Sequence, residues 1–471
     1  LTIAGMLQFK PIFLGQAQRP CPRATTAQKC VRTNDIENVG VTPRHHTFFE
    51  MLGNFSFGDY FKREAIPLAW ELVTEVYRLP PERVCISVFR DDRESFEIWR
   101  DVVGLPEDRI FLMGEEDNFW ASGPTGPCGP CTEMYFDFQP GLGLEGADLE
   151  DGTRFVEFYN LVFMQYNRST PGGELEPLER GSVDTGMGLE RMAQILQGKP
   201  NNYETDLIFP IVQAAAELAG LDYHASDTTP EQRAALKVIG DHARAVAYLI
   251  SDGVNPSNVG RGYVVRRLIR RVVMKGRLLG VSGPILRTVV ARAVELSRGG
   301  CDPDLITNAE RVLDEVEREE ARFVTTLERG EQVLEQLLAG ALGDCDDSGK
   351  APVLGGADAF MLYDTYGFPL EITKEAAEGR GVGLDEEGFK VALEAARELS
   401  RSSATTLDLA SGAAAEGALA RELPPSDFLG FERLDTDGEA LALVSQGGAD
   451  AGKRVSEASE GAEIDVVLDR T

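Results

Sequence analysis

The segment FVEFYNLVFMQYN, residues 155–167, carries apolar side chains at both odd and even positions. Successive side chains of a strand point to opposite faces, so such a run must be covered on both sides. It therefore predicts a central strand that is buried on both sides. RVCISVF (83–89) and DRIFLM (108–113) predict further strands.

The hydrophobic periodicity divides the chain into three predicted domains. Residues 1–200 alternate strand and helix signals, residues 201–405 are mainly helical, and residues 420–471 begin a β-rich domain. Within the first domain, residues 61–79 predict a helix that Pro67 bends or interrupts. A Gly- and Asp-rich loop is expected at 340–356 and a Ser- and Ala-rich linker at 399–418.

Residues 310–340 predict one long amphipathic helix. Its apolar stripe is formed by Val316, Phe323, Leu327, Leu334 and Leu338. No apolar run of the sequence is long enough to cross a bilayer. Leu1 and Thr471 are interpreted as the ends of a fragment, so that any targeting segment would lie upstream.

The composition limits the function classes. The formal charge of −30 over 471 residues argues against a protein that holds nucleic acid by its overall charge, although a local basic patch is compatible with it. The seven cysteines are scattered and odd in number, which is typical of a reducing compartment. Cys128 and Cys131 form a CxxC in GPCGPC, which we interpret as a Gly/Pro-rich turn with incidental thiols because no second pair of zinc ligands is near in sequence.

VDTGMGLER, residues 183–191, predicts a strand, a glycine turn and a helix. Its alternatives are a tight turn with Arg191 solvated on the helix, or one wall of a site. A second pattern, at 29–57, has a strand carrying Arg32, a polar loop, and a strand carrying Arg44, Phe48 and Glu50. Arginine binds phosphate by a fork of two N–H groups and an aromatic ring stacks on adenine, so this pattern suits a nucleotide. The alternative is an Arg32 on the surface and a Phe48 in the core.

The pattern RHHTFFEML with Arg32 resembles motif 2 of the class II aminoacyl-tRNA synthetases, and GMGLER resembles motif 3. Further segments are similar to the alanyl-tRNA synthetases among them: AGMLQFK, RATTAQKCVR, NDIENVG, TGPCGPCTE, NLVFMQYNR, IGDHAR, RGYVVRRLIRR and LYDTYGFP. This resemblance implies an α+β fold. It consists of an antiparallel sheet of six or seven strands flanked by helices, an all-helical tRNA-recognition domain, and the start of a β-barrel-like domain.

The resemblance also implies ATP and Mg²⁺ as cofactors. Arg32 would lie on the α-phosphate, Phe48 and Arg191 would sandwich adenine, and Glu50 would complete the ATP-binding set. Glu157 is a candidate Mg²⁺ ligand and, with Arg32 and Arg191, a candidate catalytic residue. Strand alternation places Glu157 and Asn160 on opposite faces, so both serve one site only across a bulge or a strong twist.

For L-alanine, Asp184 is the natural counter-ion of the ammonium group. Trp120 and Val162 would wall a pocket for the methyl group, and Gly186 would leave room for the substrate. Asn160 would bind either the carboxylate or the amino group. A small apolar pocket discriminates weakly against glycine and serine, so such an enzyme needs editing. The resemblance implies an editing domain, with zinc ligands, beyond Thr471.

The basic segment 258–280 stands out against the acidic background. Arg261, Arg266 and Arg270 are predicted to contact tRNA phosphates, the alternative being a face whose charge offsets acidic neighbours. By resemblance, Asn258 and Asp364 read a G·U pair of the acceptor stem of tRNA(Ala). Their alternatives are a turn or capping residue and a loop residue.

The expected partners are therefore tRNA(Ala), L-alanine and ATP, with no membrane. Oligomers are expected only through segments outside this sequence, and the compartment is expected to be cytoplasmic or organellar. Two departures from the resemblance are Ile3, where many members have Asn, and a short motif 2 loop without the usual Gly-Gly-Lys. The rival interpretations are a paralogue that activates an amino acid but delivers it elsewhere, and a non-catalytic RNA-binding protein on the same fold.

Overall fold

The computed structural model describes residues 1–298, 303–343, 352–368, 370–403, 438–445, 454–455, 457 and 464–469. The chain divides into two compact units. The first comprises Leu1–Pro352 and Met361–Val382, and the second comprises Val353–Phe360 and Gly383–Thr471. Among the described residues, none of the helices combines the length and the apolar character that a membrane crossing requires.

The first unit is built around an eight-stranded sheet. Its strands are β1 (Arg23–Val31), β2 (Phe48–Ser56), β3 (Val84–Phe89), β4 (Ile110–Met113), β5 (Phe119–Ala121), β6 (Gly126–Asp137), β7 (Phe155–Arg168) and β8 (Leu175–Gly188). Their order is β1-β2-β8-β7-β6-β3-β4, with β5 paired to β6. All pairs are antiparallel except β3 with β4. The antiparallel character agrees with the expectation, whereas the expected six or seven strands are too few.

The prediction of a central strand at 155–167 is confirmed. Strand β7 lies between β6 and β8 in the middle of the sheet. Phe158 and Phe163 belong to the core cluster on one face, and Val162 and Met164 belong to the cluster on the other. Burial on both faces explains why this strand is apolar at nearly every position. The strands predicted at 83–89 and 108–113 are β3 and β4.

Short helices cover the sheet. They are α1 (Lys10–Phe13), α2 (Lys62–Glu71), α3 (Arg93–Glu97), α4 (Glu115–Asn118) and α5 (Leu189–Gln197). Pro67 lies inside α2, which continues without interruption to Glu71 and then into a π-helical turn, Leu72–Val76. Ile66 of α2 and Trp99 pack fully buried in the core cluster that also contains Phe158 and Phe163.

The sequence prediction of a turn in VDTGMGLER is wrong. Strand β8 runs through both glycines to Gly188, and helix α5 begins at the next residue, Leu189. Gly188 has φ of −73°, an angle that any residue adopts, so neither a turn nor a positive φ explains it. Gly186 is explained by space, because a Cβ there would lie 3.1 Å from the Met51 sulfur.

The prediction of a turn in GPCGPC is also wrong. These residues form the first half of β6, and Cys128 and Cys131 are completely or almost completely buried. Burial raises the pKa of both thiols, so they stay protonated at neutral pH. Within the described part of the chain there is no cluster of three or more potential metal-ligating side chains.

The region after the sheet is mainly helical, but it is not all-helical as predicted, because two short strands at 353–354 and 383–384 pair within it. Its helices are α6 (Phe209–Leu218), α7 (Pro230–Ser251), α8 (Gly260–Leu278), α9 (Leu286–Ser297), α10 (Pro303–Thr307), α11 (Ala309–Gly343), α12 (Gly356–Tyr366), α13 (Leu370–Glu378) and α14 (Glu386–Ser403). The long amphipathic helix predicted at 310–340 is α11, and all five residues of its stripe are buried. Residues 399–403 belong to α14 rather than to a linker, and the rest of the predicted linker lies outside the described residues.

The second unit contains two small sheets. Strands β9 (Val353–Leu354) and β10 (Gly383–Leu384) form a parallel pair. Strands β11 (Ala440–Ser445), β12 (Arg454–Val455) and β13 (Ile464–Leu468) form an antiparallel sheet with β11 in the middle. Strands are thus found where residues 420–471 predicted a β-rich region. Of the loop predicted at 340–356, residues 344–351 lie outside the described residues, 340–343 belong to α11 and 353–354 form β9.

Candidate active site

A cavity of about 510 Å³ lies on one face of the sheet, across strands β2, β8, β7 and β6. Its floor is formed by side chains of these strands, and its rim by the β1–β2 loop, β5 and the first turn of α5. The residues are Ala4, Arg32, Asn34, Asp35, Arg44, His45, His46, Phe49, Met51, Met113, Asp117, Trp120, Glu133, Tyr135, Leu149, Glu150, Glu157, Phe158, Asn160, Val162, Asp184, Gly186, Gly188, Glu190 and Arg191. The structure thus brings eight predicted site residues together: Arg32, Trp120, Glu157, Asn160, Val162, Asp184, Gly186 and Arg191.

A β-bulge explains how Glu157 and Asn160 share this cavity. In the β6–β7 pairing, Met134 lies opposite Tyr159 but Tyr135 lies opposite Glu157. Phe158 is therefore the extra residue, and it reverses the alternation between the two side chains. The sequence analysis made a shared site conditional on a bulge or a strong twist, and the structure contains the bulge.

Phe48 and Glu50 lie outside this cavity, contrary to the predicted ATP site. On β2 the odd-numbered residues Phe49 and Met51 face the cavity. Since side chains alternate along a strand, Phe48 and Glu50 face the opposite side. Of the two adjacent rings, Phe49 therefore lines the cavity and Phe48 does not.

Phe48 is only 1% exposed and is stacked, but on protein groups. Its ring lies 4.2 Å from that of Tyr248 at an interplanar angle of 7°, and the Arg244 guanidinium lies 4.7 Å from its centroid. Arg244 also donates to Glu190 at 2.5 Å and to Glu50 at 3.1 Å. Through Arg244, helix α7 therefore connects β2 with the first turn of α5. Both elements carry cavity residues, Phe49 on β2 and Arg191 on α5.

The cationic groups lie at the rim. Arg32 directly follows β1, donates from Nε to the Ile3 carbonyl at 3.3 Å, and lies 4.9 Å from the centroid of the Phe49 ring. Arg191, on α5, donates from Nη1 to the Glu157 carboxylate at 2.6 Å and also to the Glu157 carbonyl at 2.7 Å. Burial opposes ionisation of Glu157, but the Arg191 charge outweighs it and holds the pKa of Glu157 below its usual value.

Asp184, on β8, is a buried carboxylate of a different kind. Its exposed fraction is 7%, and none of the described side chains pairs with it or donates to it. Burial alone raises the pKa of Asp184 to about 7. Val162 lies directly opposite it in the β7–β8 register. The site therefore holds a buried carboxyl group without a counter-ion among the described residues, beside an apolar wall.

Glu133 and Tyr135 of β6 were missed by the sequence analysis, because GPCGPC was interpreted as a turn. The Tyr135 hydroxyl donates to Glu133 Oε2 at 2.6 Å, and Asn160 Nδ2 donates to Glu133 Oε1 at 2.7 Å. Burial, reinforced by the charge of Glu157, raises the pKa of Glu133 to about 8. Strand alternation from Cys131, had β6 been recognised, would have placed Glu133 and Tyr135 on one face.

A second missed group supports the β1–β2 loop. Asp241 of α7 lies 3.1 Å from His46 Nδ1 and 2.9 Å from His242 Nδ1, and accepts the backbone N–H of Thr47 at 3.0 Å. Burial disfavours the charged carboxylate, but the hydrogen bonds with both histidines outweigh it and hold the pKa of Asp241 below its usual value. His46 lines the cavity, so α7 anchors the end of the loop that carries it.

Three of the seven basic residues of helix α8 are paired with carboxylates. Arg266 donates to Glu319 at 2.5 Å and also to Asn258, while Arg267 and Arg271 both pair with Glu37. Arg270 lies over Phe323, 5.1 Å from the ring centroid, and Arg261 is exposed at the start of the helix. Contact with phosphate stays a prediction for Arg261 and Arg270, and for Arg266 it requires the pair with Glu319 to open. Asp364 is exposed on α12 and is not a loop residue.

An antiparallel sheet that carries arginines at the rim and buried carboxylates on the floor of one cavity is the architecture expected of a class II synthetase catalytic domain. The comparison of sequences agrees. The family model described as "tRNA synthetases class II (A)" matches residues 1–471, and the chain belongs to this family.

Curated relatives are similar over the whole chain. It is 56% identical over 476 residues to a chloroplastic/mitochondrial alanine–tRNA ligase of Populus trichocarpa, covering 100% of this chain and 47% of the relative. It is 58% identical over 478 residues to a probable chloroplastic/mitochondrial alanine–tRNA ligase of Ostreococcus tauri, covering 100% and 47%. It is 57% identical over 472 residues to an alanine–tRNA ligase of Synechococcus sp. (strain JA-3-3Ab), covering 100% and 52%. The chain spans about half the length of the curated relatives it matches.

Proposed function

We propose that the protein is an alanine–tRNA ligase whose cavity forms alanyl-adenylate. In the first step a carboxylate oxygen of L-alanine attacks the α-phosphorus of ATP, and the bond to the β-phosphate oxygen breaks to release pyrophosphate. In the second step a terminal ribose hydroxyl of tRNA(Ala) attacks the alanyl carbonyl, AMP leaves, and the hydroxyl proton is released. The first step needs alignment and neutralised phosphate charge more than a protein base.

The observation that carries this proposal is Asp184. A buried carboxylate without a counter-ion is unfavourable, and a ligand ammonium that pairs with it removes that cost. The apolar neighbours Val162 and Trp120 suit a short side chain such as a methyl group. The requirement is therefore for a small amino acid whose ammonium lies against Asp184. The chain's similarity to alanine–tRNA ligases favours alanine among the small amino acids.

The nucleotide is proposed to lie between the Phe49 ring and the rim arginines. Arg32 would meet the α-phosphate, and Arg191 would close over the base once ATP enters. Glu157 retains one carboxylate oxygen beside the oxygen held by Arg191, which fits a Mg²⁺ ion whose other ligands come from phosphates and water. When bound, Mg²⁺ neutralises phosphate charge and helps to align the triphosphate.

The test of the first step is alanine-dependent exchange of labelled pyrophosphate into ATP without tRNA, on the wild type and on Arg32→Ala. We expect exchange that requires alanine and falls at least about 100-fold in the variant, since one positioned charge typically contributes that much. Exchange without any transfer to tRNA would favour a paralogue with another acceptor. A folded chain that binds neither alanine nor ATP would contradict the proposal and favour a non-catalytic RNA-binding protein on the same fold.

For the second step we propose that Asn258 and Asp364 contact the acceptor stem at a G·U pair, with phosphate contacts from the start of α8. A G·U pair leaves the guanine amine unpaired in the shallow minor groove, where a carboxylate can accept from it. We expect Asp364→Ala to lower the rate of tRNA charging while pyrophosphate exchange stays unchanged. Thr365→Ala, an exposed neighbour on α12, is the matched control, and equal loss of both activities would make Asp364 structural.

We further propose an organellar location, because several similar relatives are named as chloroplastic/mitochondrial proteins. The test is the distribution of the full-length gene product, tagged at its C-terminus, between plastids, mitochondria and cytosol. A cytosolic product would contradict this location without affecting the proposed reaction.

A further inference from the structure

We infer that Glu133 is a positioning residue that fixes the amide of Asn160 so that its oxygen, Oδ1, accepts a hydrogen bond from the substrate ammonium. This inference rests on the proposed function, because it assigns a role within the same amino-acid site. It also decides between the carboxylate and the amino group as the substrate atom that meets Asn160.

The orientation of the Asn160 amide follows from Glu133. An amide has two chemically different ends, and both cannot face the ligand. Asn160 Nδ2 donates to Glu133 Oε1 at 2.7 Å, so its oxygen points away from Glu133. An ionised Glu133 can only accept, so it requires the Nδ2 end of the amide, and a protonated Glu133 still keeps one oxygen that can accept this bond.

The oxygen thus presented is unsatisfied. Asn160 Oδ1 is buried, and no donor reaches it within the described part of the chain. A buried amide oxygen without a donor costs about 1–3 kcal/mol, so a ligand that supplies an N–H gains by binding here. Two acceptors of the cavity lining thus lack a donor among the described residues: Asn160 Oδ1 and the Asp184 carboxylate.

The register places these two acceptors close together. Asn160 lies opposite Gly186, and Asp184 lies opposite Val162, on adjacent strands and on the same face of the sheet. Gly186 adds no side chain between them. An ammonium group with three N–H bonds fits two such acceptors, whereas a carboxylate would face two groups that repel it. The substrate carboxylate is therefore directed away from Asn160, toward the rim arginines.

Glu133 is in turn held in place. Its other oxygen accepts from the Tyr135 hydroxyl at 2.6 Å, and its side chain is buried in the cavity lining. Tyr135, Glu133 and Asn160 thus form a chain of hydrogen bonds that ends at the ligand. Removal of the middle member frees the amide to rotate and to present its N–H₂ end to the ammonium.

The test is the equilibrium dissociation constant of L-alanine and, separately, of ATP, measured by calorimetry on the wild type, Glu133→Met and Glu133→Gln. Methionine keeps the volume of glutamate but has no strong acceptor, whereas glutamine keeps an acceptor for Asn160 Nδ2. For Glu133→Met we expect the dissociation constant of alanine to rise about tenfold, the equivalent of one hydrogen bond to a charged group. For Glu133→Gln and for ATP with either variant we expect changes within about threefold.

The double variant Glu133→Gln, Asn160→Asp makes the test specific. In it the glutamine can donate to one aspartate oxygen and leave the other for the ammonium, so we expect alanine binding to recover at least about tenfold relative to Asn160→Asp alone, which places two carboxylates in contact. Glu320→Gln, at a carboxylate buried elsewhere that accepts the backbone N–H groups of Ile285 and Leu286, is the control for the substitution itself.

Alanine binding by Glu133→Met equal to that of the wild type, or a double variant no better than Asn160→Asp, would overturn the inference. These outcomes are independent of catalysis. A wild type that binds alanine but supports no pyrophosphate exchange would contradict the proposed function and leave the role of Glu133 to be decided by binding. A wild type that does not bind alanine overturns both.

Discussion

The floor of the cavity and the basic helix α8 are both rich in charge, but they differ in how far those charges are satisfied. On the floor, the Asp184 carboxylate and the Asn160 oxygen have no partner within the described residues. On α8, Arg266, Arg267 and Arg271 are paired with Glu319 and Glu37. In a buried site, the polar groups that lack a partner indicate the chemistry of the ligand. On a surface whose charges are already paired, those ion pairs must break before the charges can bind a ligand.

The largest effect is expected at Asp184. Asp184→Asn keeps the shape of the side chain and removes its charge, so kcat/KM for alanine in pyrophosphate exchange should fall about 100-fold. The dissociation constant for ATP should stay within about twofold, because the arginines of the rim are untouched. An equal loss of alanine and ATP binding would mean that Asp184 supports the fold of the whole cavity. Its role would then be structural, as that of the ion pairs of α8 is.

On α8, the corresponding change acts on stability. Glu319 has 3% of its surface exposed, so Arg266→Ala leaves a buried carboxylate with only the more distant Arg322 guanidinium, at 3.9 Å, among its described ion-pair partners. We expect the free energy of unfolding in urea to fall by about 3 kcal/mol, and the double variant Arg266→Met, Glu319→Leu to recover most of it. Pyrophosphate exchange by the folded fraction should be unchanged. Full stability in Arg266→Ala would indicate that this arginine is available for RNA.

The pH dependence of alanine activation tests the cavity floor. Because burial raises the pKa of Asp184 to about 7, the carboxyl of the empty site is neutral below that pH and cannot pair with an ammonium. We expect kcat/KM for alanine to fall below pH 7 and to approach a slope of about tenfold per pH unit. A profile that is flat from pH 8 to pH 6 would contradict this assignment.

The same shift affects stability with a sign that can be checked. The folded-state pKa of Asp184 lies above its unfolded value of about 3.9, so the group costs stability as the pH rises from about 4 to about 7. Asp184→Asn should therefore have the higher free energy of unfolding at pH 8, and the difference should shrink toward pH 4. A variant that is less stable than the wild type at pH 8 would show that the charge is paired.

The smallest effect is expected at Arg261, the exposed arginine at the start of α8. Loss of one phosphate contact should weaken tRNA binding a few-fold and reduce the slope of log affinity against log salt by about one. Arg292→Ala, which removes an exposed arginine of α9, provides the comparison because it changes charge equally. An unchanged salt slope in Arg261→Ala would leave α8 without a demonstrated role in binding RNA.

The sequence predicted the middle of the sheet because β7 is apolar on both faces, a pattern that few other structures produce. It predicted α11 because a stripe of five apolar residues repeats at helical spacing over the length of the helix. Both signals are long, and each residue in them adds to the same conclusion. Glu157 and Asn160 lie within the β7 pattern and were therefore placed on the correct strand.

Shorter signals failed for local reasons. Phe48 and Phe49 are adjacent and chemically identical, so only the register of β2 decides which ring meets the cavity. GPCGPC contains the residues of a turn, yet strands on both sides of β6 hold it in an extended conformation. The partners of α8 are distant in sequence: Glu37 precedes Arg271 by 234 residues, and no local pattern connects them.

The most direct test of the account is the number of protons released when L-alanine binds. It is obtained by calorimetry at pH 6.5 in two buffers of different ionisation enthalpy. If the ammonium pairs with Asp184, whose pKa in the empty site is about 7, binding should release about 0.8 proton from this carboxyl. Alanine that binds to the wild type with no proton release would contradict the account, because the ammonium would then have found another partner.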